Sequence, residues 1–331
     1  MKTVRVAVVG LGKMGLLHAS ILNTMPNVEI VALCDKSWVL SKLAKKLFKT
    51  AKVVNDVARL TDLSVNSVYV TTPISSHYGI IKTLISRRIA ENIFVEKTLA
   101  SSWDMAKELC ELTQNFHGAT MVGFMKRFSV TFRKAKSILD QEVLGKIRSF
   151  EAYAFSSDFS KAQQGSKKST LRGGVLRDLG SHVIDLAVWF FGEFEVHSAS
   201  LESIIDESSE DSANFEVAKA GLKGQFSISW CIDKYRMPSF GVSVVGSKGI
   251  MKVDDYSLNL DLNNGAIHRW FKQDLDDSVN FLLGEPEYYR EDEAFVKSIL
   301  SGGRIEPSFE TASRTDYIID RVKKEVRVVG H

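Results

Sequence analysis

Cysteine is scarce in this chain, neither sign of charge dominates, and no apolar run is long. The 331 residues include three cysteines, Cys34, Cys110 and Cys231, far apart in apolar or amphipathic stretches. Zinc-ligand spacing and a disulfide framework are both excluded, and buried, reduced thiols are expected. Lysine and arginine number 43 against 40 acidic residues, well interspersed, for a formal net charge of +3. The concentrated basic stripe that a nucleic-acid binder needs is missing. Apolar runs such as VIDLAVWFFG are too short to span a bilayer, and MKTVRVAVVG is too short and glycine-interrupted for a signal peptide. No internal repeat, low-complexity tract or long linker interrupts the chain. These absences predict a cytoplasmic protein without metal, nucleic-acid or membrane partners, long enough for two domains that each bury a core.

What is present begins at the first apolar run. VRVAVVGLGKMG ends in Gly10, Gly12 and Gly15, spaced G-x-G-x-x-G, and Asp35 follows twenty residues later. Val4 to Val9 is rich in β-branched residues, as a strand buried on both faces should be. Gly10 permits the tight turn, Gly12 lets backbone approach a pyrophosphate, and Gly15 lets a helix over 12–23 pack near the sheet. The N–H groups at that helix start, around Lys13 and Met14, would hold the pyrophosphate, aided by the helix dipole. Asp35 ends a second apolar segment, VEIVALCD, and its carboxylate can accept bonds from a ribose. A nicotinamide or related dinucleotide is the expected ligand.

Strand-like and helix-like segments alternate to about residue 125, which predicts a parallel, doubly wound sheet. Ligands of such sheets bind beyond the carboxyl ends of the strands, so the loops after Val9, Cys34, Val70, Val95 and Gly123 belong near the cofactor. After a helix-like VTFRKAKSILDQEV and a strand IRSFEAYAF comes the basic loop KAQQGSKKSTLRGG, then one amphipathic helix over 176–191. Six strand-like runs follow, from FEVHSASLES to SLNLDLNN, with Gly or Asn turns, as in a largely antiparallel sheet. The expected division is 1–125 and 126–331, with two late helices, 287–300 and 309–323, packing back toward the first domain.

Several side chains are candidates for chemistry. Glu96 and Lys97 stand just past a strand in NIFVEKTLA, where a lysine can stabilise negative charge on a substrate oxygen; a plain strand-capping ion pair is the alternative. Asp178, His182 and Asp185 recur at i, i+4 and i+7 of one helix, so a histidine flanked by carboxylates could take a proton from an alcohol. A surface histidine with two solvated acids is the plainer reading. Gly173 and Gly174, which enter that helix, argue for a close backbone approach. Thr72 and Pro73 would bring the chain past the nicotinamide ribose, with His77 capping the loop; His18 is read as packing. Lys36 beside Asp35 could soften the preference for NAD over NADP that Asp35 sets. Lys161, Lys167, Lys168 and Arg172 form a basic loop that either grips an anionic substrate or is merely solvated, and Arg127 joins the substrate-binding candidates.

The order GLGKMG, CD, TTPISSHYG, VEKTLA and GGVLRDLGSHVIDL resembles the glucose–fructose oxidoreductase / inositol dehydrogenase (Gfo/Idh/MocA) family. SVVGSKGIMKV and YYREDEAFVKSIL extend the resemblance over nearly the whole chain. It implies an N-terminal Rossmann domain and a C-terminal α+β domain on an open sheet whose outer face makes dimers or tetramers. It further implies an NAD- or NADP-dependent oxidoreductase acting on a hydroxyl or carbonyl of a sugar, cyclitol or nucleotide sugar. Lys97 would match the lysine of the family's E-K-P motif, and Asp178 and His182 its D-x-x-x-H pair. His182 would be the proton acceptor, Lys97 its electrostatic partner, Asp178 an orienting acceptor and Asp185 a support for the histidine. Thr98 stands where the family has proline; a cis bond there would cost about 3–4 kcal/mol, so a trans bond is expected. Arg172 replaces a frequent third glycine and would suit an anionic substrate. A non-catalytic dinucleotide-binding regulator and an imine or dipyrrole reductase remain the alternatives.

Overall fold

A computed structural model describes residues 3–158, 173–204, 209–275, 279 and 285–325. By internal packing the chain divides into two units, Met1–Phe124 with Leu283–Asp316, and Met125–Leu282 with Tyr317–His331.

The first unit is built on six parallel strands: β1 (Val4–Val9), β2 (Val28–Cys34), β3 (Lys52–Val54), β4 (Ser67–Val70), β5 (Asn92–Glu96) and β6 (Thr120–Gly123). They lie in the order β3-β2-β1-β4-β5-β6, so the strand order reverses between β1 and β4. Helices α1 (Lys13–Leu22), α2 (Trp38–Leu47), α3 (His77–Ser86) and α4 (Trp103–Thr113) alternate with the strands. With both faces covered, β1, β4 and β5 are nearly continuous apolar runs, buried at almost every residue. The Lys97–Thr98 peptide is cis, against the trans bond expected from sequence.

The second unit pairs eight strands in the order β14-β13-β12-β11-β7-β10-β9-β8. Helix α5 (Val130–Asp140) precedes β7 (Ile147–Phe155), and α6 (Ser181–Phe191) precedes β8 (Glu195–Glu202) and β9 (Ser212–Lys219). The meander continues through β10 (Leu222–Ser229), β11 (Ser239–Gly246), β12 (Gly249–Asp254), β13 (Ser257–Leu262) and β14 (Ile267–Phe271). Among the described residues only β7 and β10 pair in parallel, and the other neighbours are antiparallel. Burial alternates along β9 and β12, with Phe215, Val217, Met251 and Val253 in the core and the intervening residues exposed. Helices α5 and α6 cover the apolar face.

The helix expected over 176–191 does not run smoothly. Leu176–Gly180 forms a π-turn that leads into α6. Two closing helices are α7 (Glu287–Ser301), which packs on α1, and α8 (Phe309–Lys324). The cysteines are free, as expected, but only Cys34 is fully buried; Cys110 and Cys231 are half-buried.

Candidate functional site

The glycine turn after β1 fits a dinucleotide by its packing. Gly10 has φ +94°, and a Cβ on it would lie 2.7 Å from Thr72 Cγ2. A Cβ on Gly15 would lie 1.8 Å from the Gly10 carbonyl oxygen, so these two glycines are fixed by the fold itself. Gly12 differs: a Cβ there would meet nothing within 4 Å. Its open side is the face over which a pyrophosphate would pass, and a side chain would fill it. Gly12 also caps α1 with no side-chain oxygen, and no acid stands in the first turn, so the positive helix end is left to an anion. Lys13 is exposed and Met14 half-exposed at this end.

Asp35 has a structural task that its spacing did not announce. Its Oδ2 accepts the Leu11 N–H at 2.6 Å and its Oδ1 accepts the Ser37 N–H at 2.7 Å, so the carboxylate braces the glycine turn. Each oxygen keeps a lone pair for a ribose hydroxyl, while the charge opposes a 2′-phosphate. Lys36 is exposed beside it. Thr71, which sequence reasoning passed over, donates its hydroxyl to Gly10 O at 2.7 Å and locks the turn from the β4 side. A hydroxyl one residue before the Thr-Pro turn was the available signal.

The loops after β4 and β5 are tied by His77. Its Nδ1 lies 2.9 Å from Thr98 O and its Nε2 2.8 Å from Thr72 O. Burial lowers its pKa against the opposing pull of these carbonyls, which favours a neutral ring that donates to one of them. His77 is thus a buried staple that ties the two loops together. Thr72 is half-buried and Pro73 exposed on the same loop. Lys97 is half-buried at the carboxyl end of β5, whereas Glu96 is turned inward and binds His18.

In the second unit, Asp178 sits in the π-turn and His182 in the first turn of α6, both half-buried. The His182 ring meets the Phe240 ring edge-on at 5.1 Å. Lys126, also missed from sequence, places Nζ 4.7 Å from the same Phe240 ring and 2.6 Å from Asp255 Oδ1. Asp185 has a partner that spacing did not reveal: its two oxygens take Nε and Nη2 of Arg127, each at 2.7 Å. Arg127 is buried in that fork. The approach that Gly174 permits is to protein: with φ +86°, a Cβ on it would lie 2.2 Å from Glu210 Oε1. Lys161, Lys167, Lys168 and Arg172 lie outside the described residues.

Comparison with known proteins supports both halves. Residues 4–124 match an oxidoreductase family with an NAD-binding Rossmann fold, and residues 132–252 match the GFO/IDH/MocA C-terminal domain. Inositol 2-dehydrogenase of Rhizobium meliloti (strain 1021) is 23% identical over 321 residues, covering 92% of each chain. A levoglucosan dehydrogenase solved with NADH and L-sorbose superposes with a TM-score of 0.88 at 19% identity, covering 98% of this chain and 97% of that one. A 3-ketoreductase from Actinomadura kijaniata solved with NADP gives a TM-score of 0.79 at 22% identity, covering 98% of each chain. The glycine turn, its bracing acid and the two family domains in sequence agree, and the chain belongs to the GFO/IDH/MocA family of oxidoreductases.

Proposed function

We propose that this protein is an NAD-dependent dehydrogenase that interconverts a secondary hydroxyl and a carbonyl on a sugar or cyclitol. The observation that carries the reading is the turn Gly10–Gly15, packed shut at Gly10 and Gly15 and open at Gly12, with Asp35 behind it. Gly12, Lys13, Met14 and the α1 N–H groups would hold the pyrophosphate, and Asp35 a ribose. When bound, the nicotinamide supplies the hydride acceptor or donor. His182 takes the hydroxyl proton during oxidation and returns it during reduction. Lys97 stabilises partial negative charge on a substrate oxygen. Asp178 orients the imidazole. The names of the relatives point to cyclitols and sugars as substrates. A sugar nucleotide is the second reading, favoured by a ketoreductase of the same fold solved with a TDP ligand. The exposed face of the second sheet is read as the surface through which copies of the chain pair.

The test is a panel of inositols, aldoses, anhydro sugars and sugar nucleotides with NAD and NADP, followed at the absorbance of the reduced nicotinamide. Turnover of a cyclitol or sugar with NAD, slowed about a hundredfold or more in Lys97→Ala and His182→Ala, is the expected result. Full activity in both variants would remove the assigned roles. Tight NAD binding with no turnover of any panel member would favour a dinucleotide-binding regulator.

A further inference from the structure

A buried chain of ionisable side chains ends at the backbone of Lys97. His18, wholly buried on α1, turns Nδ1 toward both carboxylate oxygens of Asp292 on α7, at 2.8 and 3.0 Å. Its Nε2 lies 3.0 Å from Oε1 of Glu96 at the end of β5. The second oxygen of Glu96 accepts the N–H of Lys97 at 3.1 Å. The rings of Tyr69, Phe94 and Tyr288 surround the imidazole at 5.7, 5.1 and 5.9 Å between centroids. Tyr69 on β4 and Tyr288 on α7 face the cluster as well, with Glu285, Glu287 and Glu291 near Tyr288.

Such a cluster is costly to bury, and apolar residues of similar size would fill the space without that cost. Both ring nitrogens face carboxylate oxygens, an arrangement that an imidazolium satisfies with two donors. The chain leads, through Glu96, to the backbone of Lys97, a half-buried residue at the carboxyl end of β5. Thr98, on the other side of Lys97, is held by His77. The residues before and after Lys97 are each gripped by a buried histidine.

We propose that His18 and Asp292 are positioning residues for Lys97, acting through Glu96 to fix the base from which its flexible side chain reaches the substrate oxygen. The proposal rests on the catalytic reading of Lys97 given above. A lysine stem has free rotation about several bonds, so its ammonium is only as well placed as its backbone.

The experiment compares wild type, His18→Gln, Asp292→Asn and Lys97→Ala with the substrate found in the panel. It measures kcat, KM and the Kd for NAD, and thermal melting checks folding. Reductive 13C-methylation gives a second readout: the Lys97 dimethylamine resonance, assigned by its loss in Lys97→Arg and read without turnover. The expected result is a fall in kcat of about tenfold to a hundredfold in both positioning variants. The Kd for NAD should stay within about twofold, and the Lys97 resonance should move. A merely structural role would lower melting and leave kcat and the resonance in place, which overturns the proposal. If His18→Gln does not fold, Asp292→Asn decides alone. An inactive Lys97→Ala beside an unchanged Asp292→Asn removes the positioning claim and leaves the dehydrogenase reading standing. An active Lys97→Ala removes both roles at once.

Discussion

Asp178 and Asp185, seven residues apart, sit in different surroundings. Asp185 is buried and forked onto Arg127, so Asp185→Ala leaves a buried guanidinium without its counter-charge. The expected loss of stability is about 3–5 kcal/mol, read from denaturant melts. Asp178→Asn, at a half-buried position, should instead lower kcat while leaving the melting temperature nearly unchanged. Equal loss of stability in the two would contradict this division. His18 supplies a pH test. Burial opposes its charge, yet the Asp292 charge and the bonds to Asp292 and Glu96 outweigh it and hold the pKa well above 6.5. The native state therefore keeps a proton that the unfolded chain has released. The stabilisation is complete below the unfolded value and is lost as pH rises through the folded one. Asp292, its pKa raised by burial, acts in the same direction. The destabilisation of His18→Gln relative to wild type should shrink between about pH 6 and about pH 9, measured by melts across that range. A gap that widens with pH would exclude the charged imidazole.

At the scale of elements, the three glycines of one turn separate folding from binding. Gly12 has φ −68° and open space where a Cβ would go, so Gly12→Ala is compatible with the fold. Its melting temperature should stay within about 2 °C of wild type while NAD affinity falls about tenfold or more. Gly15→Ala drives a Cβ into the Gly10 carbonyl and should fail to fold or lose several kcal/mol, about 3 or more. Calorimetry and NAD titration of the pair check this; normal NAD binding by Gly12→Ala would remove the pyrophosphate from that face. The turn was readable because its requirements are local: a strand, a positive φ, a helix start and an acid at fixed spacing. The buried parallel strands were readable as apolar runs. The π-turn at Leu176–Gly180 was not, because one extra residue per turn leaves no mark on composition. Nor could spacing show that Arg127 captures Asp185 across 58 residues, or that His18 reaches Asp292 across 274. Strand β14 also escaped, since nearly all of its residues are exposed and no alternation marks it. Chain-distant partners and solvated edges have no period to read.

At the scale of the whole molecule, the second sheet poses a problem that pairing would solve. It is open, with β8 and β14 at its edges, and one face is covered by α5 and α6. Cross-strand register places Val245, Ile250, Asp261 and Ile267 in one row on the other face. Ile250 is 42% exposed, Ile267 64% and Phe271 53%, and Tyr153 stacks on Phe155 at 5.2 Å on the same side. Exposed apolar side chains such as these are costly to leave in water, at about 25 cal/mol per Å². A twofold pairing of this face would remove it from solvent and protect the sheet edges. A stable homodimer needs roughly 1,200–2,000 Å² of total burial, which a face eight strands wide can supply. We expect light scattering on the eluting protein to give a dimer or tetramer at micromolar concentration. Ile250→Lys with Ile267→Lys should shift it to the monomer, with the far-ultraviolet circular dichroism unchanged because both side chains leave the core untouched. A wild-type monomer, or an oligomer indifferent to both lysines, would mean that the face is covered in another way.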